Sequence, residues 1–155
     1  MISQKNIILE NDSVCLKPLE LSHVDFLIHI VENNPDLLKY SPSKFGTIAL
    51  LRQYVETNVS LRESGKKYPF IIFDKKYNKF AGSTSFLNIS DKGKRLEIGS
   101  TWIGKKYQRT GLNRNCKFLL MSYAFEELNV ERLELKTDSR NKQSQKAIEG
   151  IGAKY

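Results

Sequence analysis

Cysteine is nearly absent from this sequence: Cys15 and Cys116 are the only two in 155 residues, far apart in the chain. That excludes a disulfide framework and a cysteine metal cluster. The two histidines, His23 and His29, have neither cysteine company nor HExxH spacing, so no metal is expected. Proline is scarce and no Pro/Gly/Ser tract divides the chain, which reads as one domain over residues 1–155. No apolar run approaches the ~20 residues a membrane-spanning helix needs, so no membrane partner is expected. The start, MISQKNIILENDSV, lacks the apolar core and cleavage pattern of a signal peptide. The expected compartment is a reducing cytoplasm. Neither GxxxxGK[ST] nor GxGxxG occurs, which argues against a P-loop nucleotidase and a dinucleotide fold.

What is present is an ordinary globular composition, 40% hydrophobic and 27% charged, with a net charge of +8. The excess favours an anionic partner. Basic and aromatic residues are not interleaved, and no nucleic-acid motif is found, so nucleic acid is the least favoured of these partners.

Hydrophobic periodicity supplies the elements. SVCLKPL (13–19) reads as a strand. A helix follows from Ser22, with Asp25 in a weak capping box and Val24, Leu27, Ile28 and Val31 as its buried stripe. Residues 35–46 read as an irregular connection. Residues 47–63 form a second helix, with Ile48, Leu51, Val55 and Val59 inward and Gly65 at its stop. Strands at 68–74, 80–89 and 95–103, joined by short turns, imply an antiparallel meander. Gly99 suggests a bulge or a close backbone approach. From Leu112 the period switches to a helix with Cys116, Leu119, Leu120 and Tyr123 on its stripe. A strand at 130–138 and a helix from Asn141 to Gly152 complete the order β-α-α-β-β-β-α-β-α. The segment 95–138 is strand, crossover helix, strand, and therefore a parallel pair within a mostly antiparallel sheet. The class is α+β.

YQRTGLNRN (107–115) puts a glycine loop at the mouth of the third helix in this scheme. First-turn amides and the helix dipole make such a mouth a ready anion site, and Gly111 can take φ > 0 there. Lys105, Lys106, Arg109 and Arg114 add positive charge. A single glycine before a helix is common, so spacing alone is also satisfied by an ordinary helix start.

LEIGSTWIGKKYQRTGLN, however, resembles the coenzyme A loop of the GNAT acetyltransferases, whose pattern is [QR]-x-x-G-x-[GA]. Gln108 begins the match five residues after Ile103, and Asn113 replaces the final Gly or Ala. VERLELKTDSRNKQSQKAIEGIGAKY is similar to the family's next strand and helix, with N-x-x-S-x-x-A-I-x-x-x-G-A. The likeness covers nearly the whole chain and is greatest to the RimJ/RimL-like branch, which acetylates protein N-terminal and related amines. It implies two further strands beyond Tyr155, where the sequence ends, and so a C-terminally incomplete domain.

The resemblance also implies roles. Acetyl-CoA would be the co-substrate. Its pyrophosphate would meet Gln108, Arg109, Thr110, Gly111, Leu112 and Asn113. Its pantetheine arm would lie along the backbone of Thr101, Trp102 and Ile103 and touch Asn141. Ser144 would lie near the sulfur as acid. Glu97, at the family's E-I-G position, would be the general base. Each has a plainer alternative: Glu97 as a surface residue paired with Lys94 or Arg95, Trp102 as packing, Asn141 as a helix cap. Cys116 reads as core. The expected activity is acetyl transfer to a primary amine, a protein N-terminus or a small amine. The alternative is a catalytically silent acyl-CoA-binding or structural module. An unfinished sheet edge raises a homodimer.

Overall fold

The computed structural model describes residues 2–38, 44–137 and 139–154. Strands β1 (Leu9–Glu10), β2 (Val14–Pro18), β3 (Lys67–Asp74), β4 (Lys79–Ser90), β5 (Arg95–Ile103) and β6 (Arg132–Leu135) lie side by side in that order. Every neighbouring pair is antiparallel except β5–β6, which is parallel. Helices α1 (Val24–Glu32) and α2 (Ile48–Glu63) join β2 to β3. Helix α3 (Leu112–Glu126) crosses from β5 to β6, and α4 (Lys142–Gly150) follows β6.

The local reasons are those the sequence offers. Thr47 caps α2 by accepting from the Leu50 amide at 3.3 Å. Asn78 and Lys94 take left-handed φ in the two hairpin turns. The predicted stripe of α1, Val24, Leu27, Ile28 and Val31, is buried throughout. Each such aliphatic side chain stabilises the fold by about 1.5–3 kcal/mol.

Several expectations are corrected. The short β1 is additional: Asn11 Oδ1 accepts from the amides of Ser13 and Val14 and folds the chain back within too few residues for periodicity to register. Helix α1 does not start at Ser22 on an Asp25 capping box. The Glu20 amide donates to His23 Nδ1 at 3.0 Å, which shapes a 3-10 turn over Leu21–His23 before the helix begins. Ile48 is 49% exposed, and the buried face of α2 is Leu51, Val55 and Asn58. The strand foreseen at 130–138 is paired only over Arg132–Leu135. Within 35–46, Pro35–Leu38 form a 3-10 turn, and 39–43 lie outside the described residues.

The core has two parts, one on each face of the sheet. Leu16, Phe70, Phe86, Leu96 and Ile98 pack beneath Leu112, Cys116, Leu120 and Ala124 of α3. On the other face, Ile71 and Trp102 pack beneath Leu27, Val31, Leu51 and Val55 of α1 and α2.

An irregularity in β5 sets the direction of its side chains. Ser83 faces Trp102 and Ser85 faces Gly99, so β5 carries an extra residue between them. It is Ser100, at φ 47°, next to the glycine where a bulge was expected. The close backbone approach expected at Gly99 is not what crowds it: a Cβ there would stand 2.8 Å from the side-chain Cδ1 of Leu87 and 3.3 Å from Glu97 Oε1. The extra residue resets the alternation of the strand. Ile98 and Ile103 both face α3 despite their odd separation, and Trp102 is turned toward α1 and α2.

Candidate functional site

The parallel ladder joins Arg95–Ile98 to Arg132–Leu135 and stops there. From Gly99 to Ile103, β5 is paired on the β4 side alone. On its other edge no strand among the described residues pairs with Ser100, Thr101, Trp102 or Ile103, which leaves a wedge beside this part of β5.

The wedge leads to the mouth of α3. Gln108 Nε2 donates to Ile103 O at 2.8 Å and fastens the loop to the end of β5. Arg109 and Gly111 take left-handed φ of 58° and 89°, and Thr110 Oγ1 donates to Tyr107 O at 2.7 Å. Gly111 is the N-cap, without a capping side chain. The first helical bond runs from Asn115 N to Gly111 O at 3.1 Å. The amides of Leu112, Asn113 and Arg114 precede it and face out of the helix mouth, where the dipole adds roughly half a positive charge. Among the described residues only Leu112 N of these three has a partner, Thr110 Oγ1 at 3.4 Å. Among the described residues, a Cβ built on Gly111 meets nothing within 4 Å, and Asn113 Oδ1 is buried with no hydrogen-bond partner. Backbone donors and open space at the helix mouth together fit a phosphate-bearing ligand.

Helix α4 closes over this loop. Gln143 Nε2 donates to Gln108 Oε1 at 3.2 Å, and the Arg114 guanidinium donates to Gly150 O at 2.9 Å. Asn141 caps α4: its Oδ1 accepts from Ser144 N at 3.1 Å. Lys106 is turned away, with its ammonium 4.9 Å from the Tyr77 ring centroid.

Glu97 is not a surface residue. It is only 6% exposed. Its Oε2 accepts from Asn88 Nδ2 at 2.7 Å and lies 3.4 Å from Lys136 Nζ. Lys94, the partner expected for it, pairs with Glu131 instead. Asn88, Arg95, Leu96, Glu97, Glu134 and Lys136 line a pocket of about 330 Å³. A larger cleft of about 730 Å³, between α1 and the β3–β4 hairpin, holds none of the site residues singled out from the sequence.

The fold thus brings Thr101, Trp102, Ile103, Gln108–Asn113 and the start of α4 around one wedge. It does not bond Ser144 to Glu97. The Trp102 side chain packs in the core, with its ring centroid 5.3 Å from that of Phe45, so only its backbone borders the wedge. Cys116 is buried and burial pushes its thiol up to about 12, which leaves no thiolate at neutral pH. Sequence reasoning missed Asn88, Lys136 and Gln143. Asn88 left one signal, an asparagine inside a strand, and it occupies φ 48° in a second bulge. It also missed Lys117, 7% exposed, which shares the helix face of Leu120 and Ala124 at i+3 and i+7. Among the described residues no helix is long and apolar enough to cross a membrane.

Comparison with known proteins agrees with this geometry. A family model described as an acetyltransferase (GNAT) domain matches residues 13–154. An uncharacterized N-acetyltransferase, p20, of Bacillus licheniformis is 25% identical over 144 residues, 92% of this chain and 80% of its own length. The crystal structure of an acetyl transferase from Salmonella typhimurium, which modifies the N-terminal serine of 50S ribosomal subunit protein L7/L12, is 25% identical. It superposes with a TM-score of 0.82 over 94% of this chain and 84% of that one. The microcin C7 self immunity acetyltransferase, in complex with acetyl-CoA and AMP, shares the fold at 24% identity and a TM-score of 0.79, covering 92% of this chain and 79% of that one.

Proposed function

The chain belongs to the GNAT acetyltransferase family, and we propose that it moves the acetyl group of acetyl-CoA directly onto a primary amine, a protein N-terminus or a small amine. The observation that carries this reading is the wedge. A strand edge that no further strand covers among the described residues leads into a helix mouth whose first-turn amides lie outside the helical ladder. An extended, amide-bearing arm ending in a diphosphate matches both halves. The arm adds to β5 at Thr101, Trp102 and Ile103 as a further strand would. Amides from Arg109 to Asn113 take the diphosphate oxygens, with Gly111 leaving room. Asn141, already committed through Oδ1 to its helix, keeps Nδ2 for the arm.

The chemistry then needs few groups. The amine nitrogen attacks the thioester carbonyl carbon, the C–S bond breaks, and the sulfur leaves as thiolate to take up a proton. Glu97 accepts the proton the amine loses. The Asn88 amide donates to its Oε2 and the Lys136 ammonium lies 3.4 Å away, and together they hold the carboxyl group in place. The polar pocket beside it has room for a relaying water. Ser144 is the hydroxyl assigned to the departing sulfur. Holding donor and amine together supplies much of the acceleration, and no covalent enzyme intermediate is required.

Two measurements test this. Calorimetric titration with acetyl-CoA, against a plain nucleotide of similar charge, is expected to show selective one-site binding. Acetyl-CoA consumption is then followed over amines that include peptides with a free N-terminal serine, the class modified by the Salmonella relative. Turnover with an amine establishes the reading. Binding without consumption across the panel assigns the chain to the acyl-CoA-binding module instead, and absence of binding removes both.

A further inference from the structure

The same bulge that opens β5 is gripped from both faces by buried lysines. On the α3 face, Lys117 Nζ donates to Thr101 Oγ1 at 2.9 Å, and Thr101 Oγ1 also lies 2.8 Å from Thr84 Oγ1. On the α2 face, Lys67 Nζ donates to Ser100 Oγ at 3.1 Å and sits 5.7 Å from the Tyr54 ring centroid. Lys67 follows the side of β3 that Ile71 takes, and Thr84 follows the side of β4 that Phe86 takes, so the two grips come from opposite sides of the sheet. The lysines are 9% and 7% exposed, and neither forms an ion pair with a carboxylate among the described residues. A buried ammonium without a counter-charge is costly, and packing would be better served by an apolar side chain. Both costs fall on consecutive residues, Ser100 and Thr101, at the point where β6 leaves β5 and Ser100 holds a left-handed φ.

We propose that Lys67 and Lys117 are positioning residues for the acyl donor, clamping the Ser100–Thr101 bulge so that the open edge of β5 keeps the backbone geometry to which the donor's arm adds. This rests on the reading of the wedge as the acetyl-CoA site. Neither lysine needs to touch the donor. Lys117 acts through Thr101, and Lys67 through Ser100. The role does not follow from stability, because the clamp holds a strand that is already paired with β4 on both sides of the bulge.

The test is a thermodynamic cycle on donor binding, read by calorimetry with acetyl-CoA on the full chain, with thermal unfolding run in parallel. Lys117→Met is expected to fold with an unfolding temperature no lower than the parent's and to weaken acetyl-CoA binding about tenfold. Thr101→Val is expected to weaken it similarly. The double variant is expected to bind no worse than either single one, because the lysine works only through the hydroxyl. Lys67→Met should weaken binding by its own, independent factor. If Lys117→Met does not fold, Thr101→Val and Lys67→Met carry the measurement. Unchanged acetyl-CoA affinity in these variants would overturn the clamp and leave the acetyltransferase reading standing. So would additive losses in the Lys117→Met/Thr101→Val pair. Failure of the parent chain to bind acetyl-CoA would overturn the reading itself, and the clamp with it.

Discussion

Asn88 and Glu97 are joined by a 2.7 Å hydrogen bond between adjacent strands, and each explains the other's environment. Asn88 occupies a left-handed bulge in β4, and Glu97 is a carboxylate taken almost wholly out of water. The bulge aims the amide at the carboxylate. Replacing Asn88 by Gly keeps the left-handed backbone and deletes the amide, whereas Ala deletes the amide and strains the backbone as well. Both variants are expected to lower kcat about tenfold and to lower the unfolding temperature through the lost bond to a buried carboxylate, Asn88→Ala by more because it adds backbone strain; steady-state kinetics and thermal scans separate the two effects.

Glu97→Gln keeps the shape and the Asn88 contact and removes the basic oxygen. Turnover is expected to fall about 10²-fold or more, with acetyl-CoA affinity within a factor of about two. Unchanged turnover in a direct assay of released thiol would exclude Glu97 as base.

Gly111→Ala probes the helix mouth. The space around the glycine is open, so no clash is expected, but φ 89° costs a non-glycine residue about 1–2 kcal/mol. Stability should drop by that amount, measured by urea unfolding. A bulky residue here, such as Val, should in addition abolish the stabilisation that acetyl-CoA confers on the parent, about 2.7 kcal/mol at a hundredfold excess over Kd.

Burial holds both Lys67 and Lys117 at a pKa of about 8, below the ordinary 10.5. The groups around them are Ser100 and the Tyr54 ring for Lys67, and Thr101 and Cys116 for Lys117. Below pH 8 both lysines are charged in the folded and the unfolded chain, and the burial cost stands in full. Between about 8 and 10.5 the unfolded chain holds protons that the folded chain has released, so these groups make stability rise with pH. Lys117→Met removes a penalty on the order of 3 kcal/mol and forfeits a hydrogen bond from a charged donor, about 1.5–3 kcal/mol. It is expected to be no less stable than the parent at neutral pH and to show a flatter pH slope in urea unfolding.

His23 also makes stability rise with pH, but in the acid range. Burial lowers its pKa, and its Nδ1 must be unprotonated to accept from Glu20 N. Stability is expected to fall as pH drops through the ordinary histidine range, where the unfolded chain takes up the proton first. His23→Gln should blunt that dependence in acid unfolding curves.

Much of this protein is determined locally, and the sequence by itself determines those parts. The α1 stripe, the Thr47 and Asn141 caps and the glycine at the mouth of α3 depend on neighbours within a few turns of chain, so their spacing suffices. The hairpin meander follows for the same reason, and the parallel β5–β6 pair follows from the handedness of a crossover helix. Only the tertiary structure decided where β5 and β6 part, because that depends on how far each strand finds a partner. It decided that Ser100, rather than Gly99, carries the bulge, since the extra residue is set by the register of β5 on β4. It turned Glu97 from a surface charge into a buried carboxylate held by Asn88 and Lys136. It also buried Lys67 and Lys117. Burial is a property of what packs above a residue, and for these three the covering groups come from other elements of the fold.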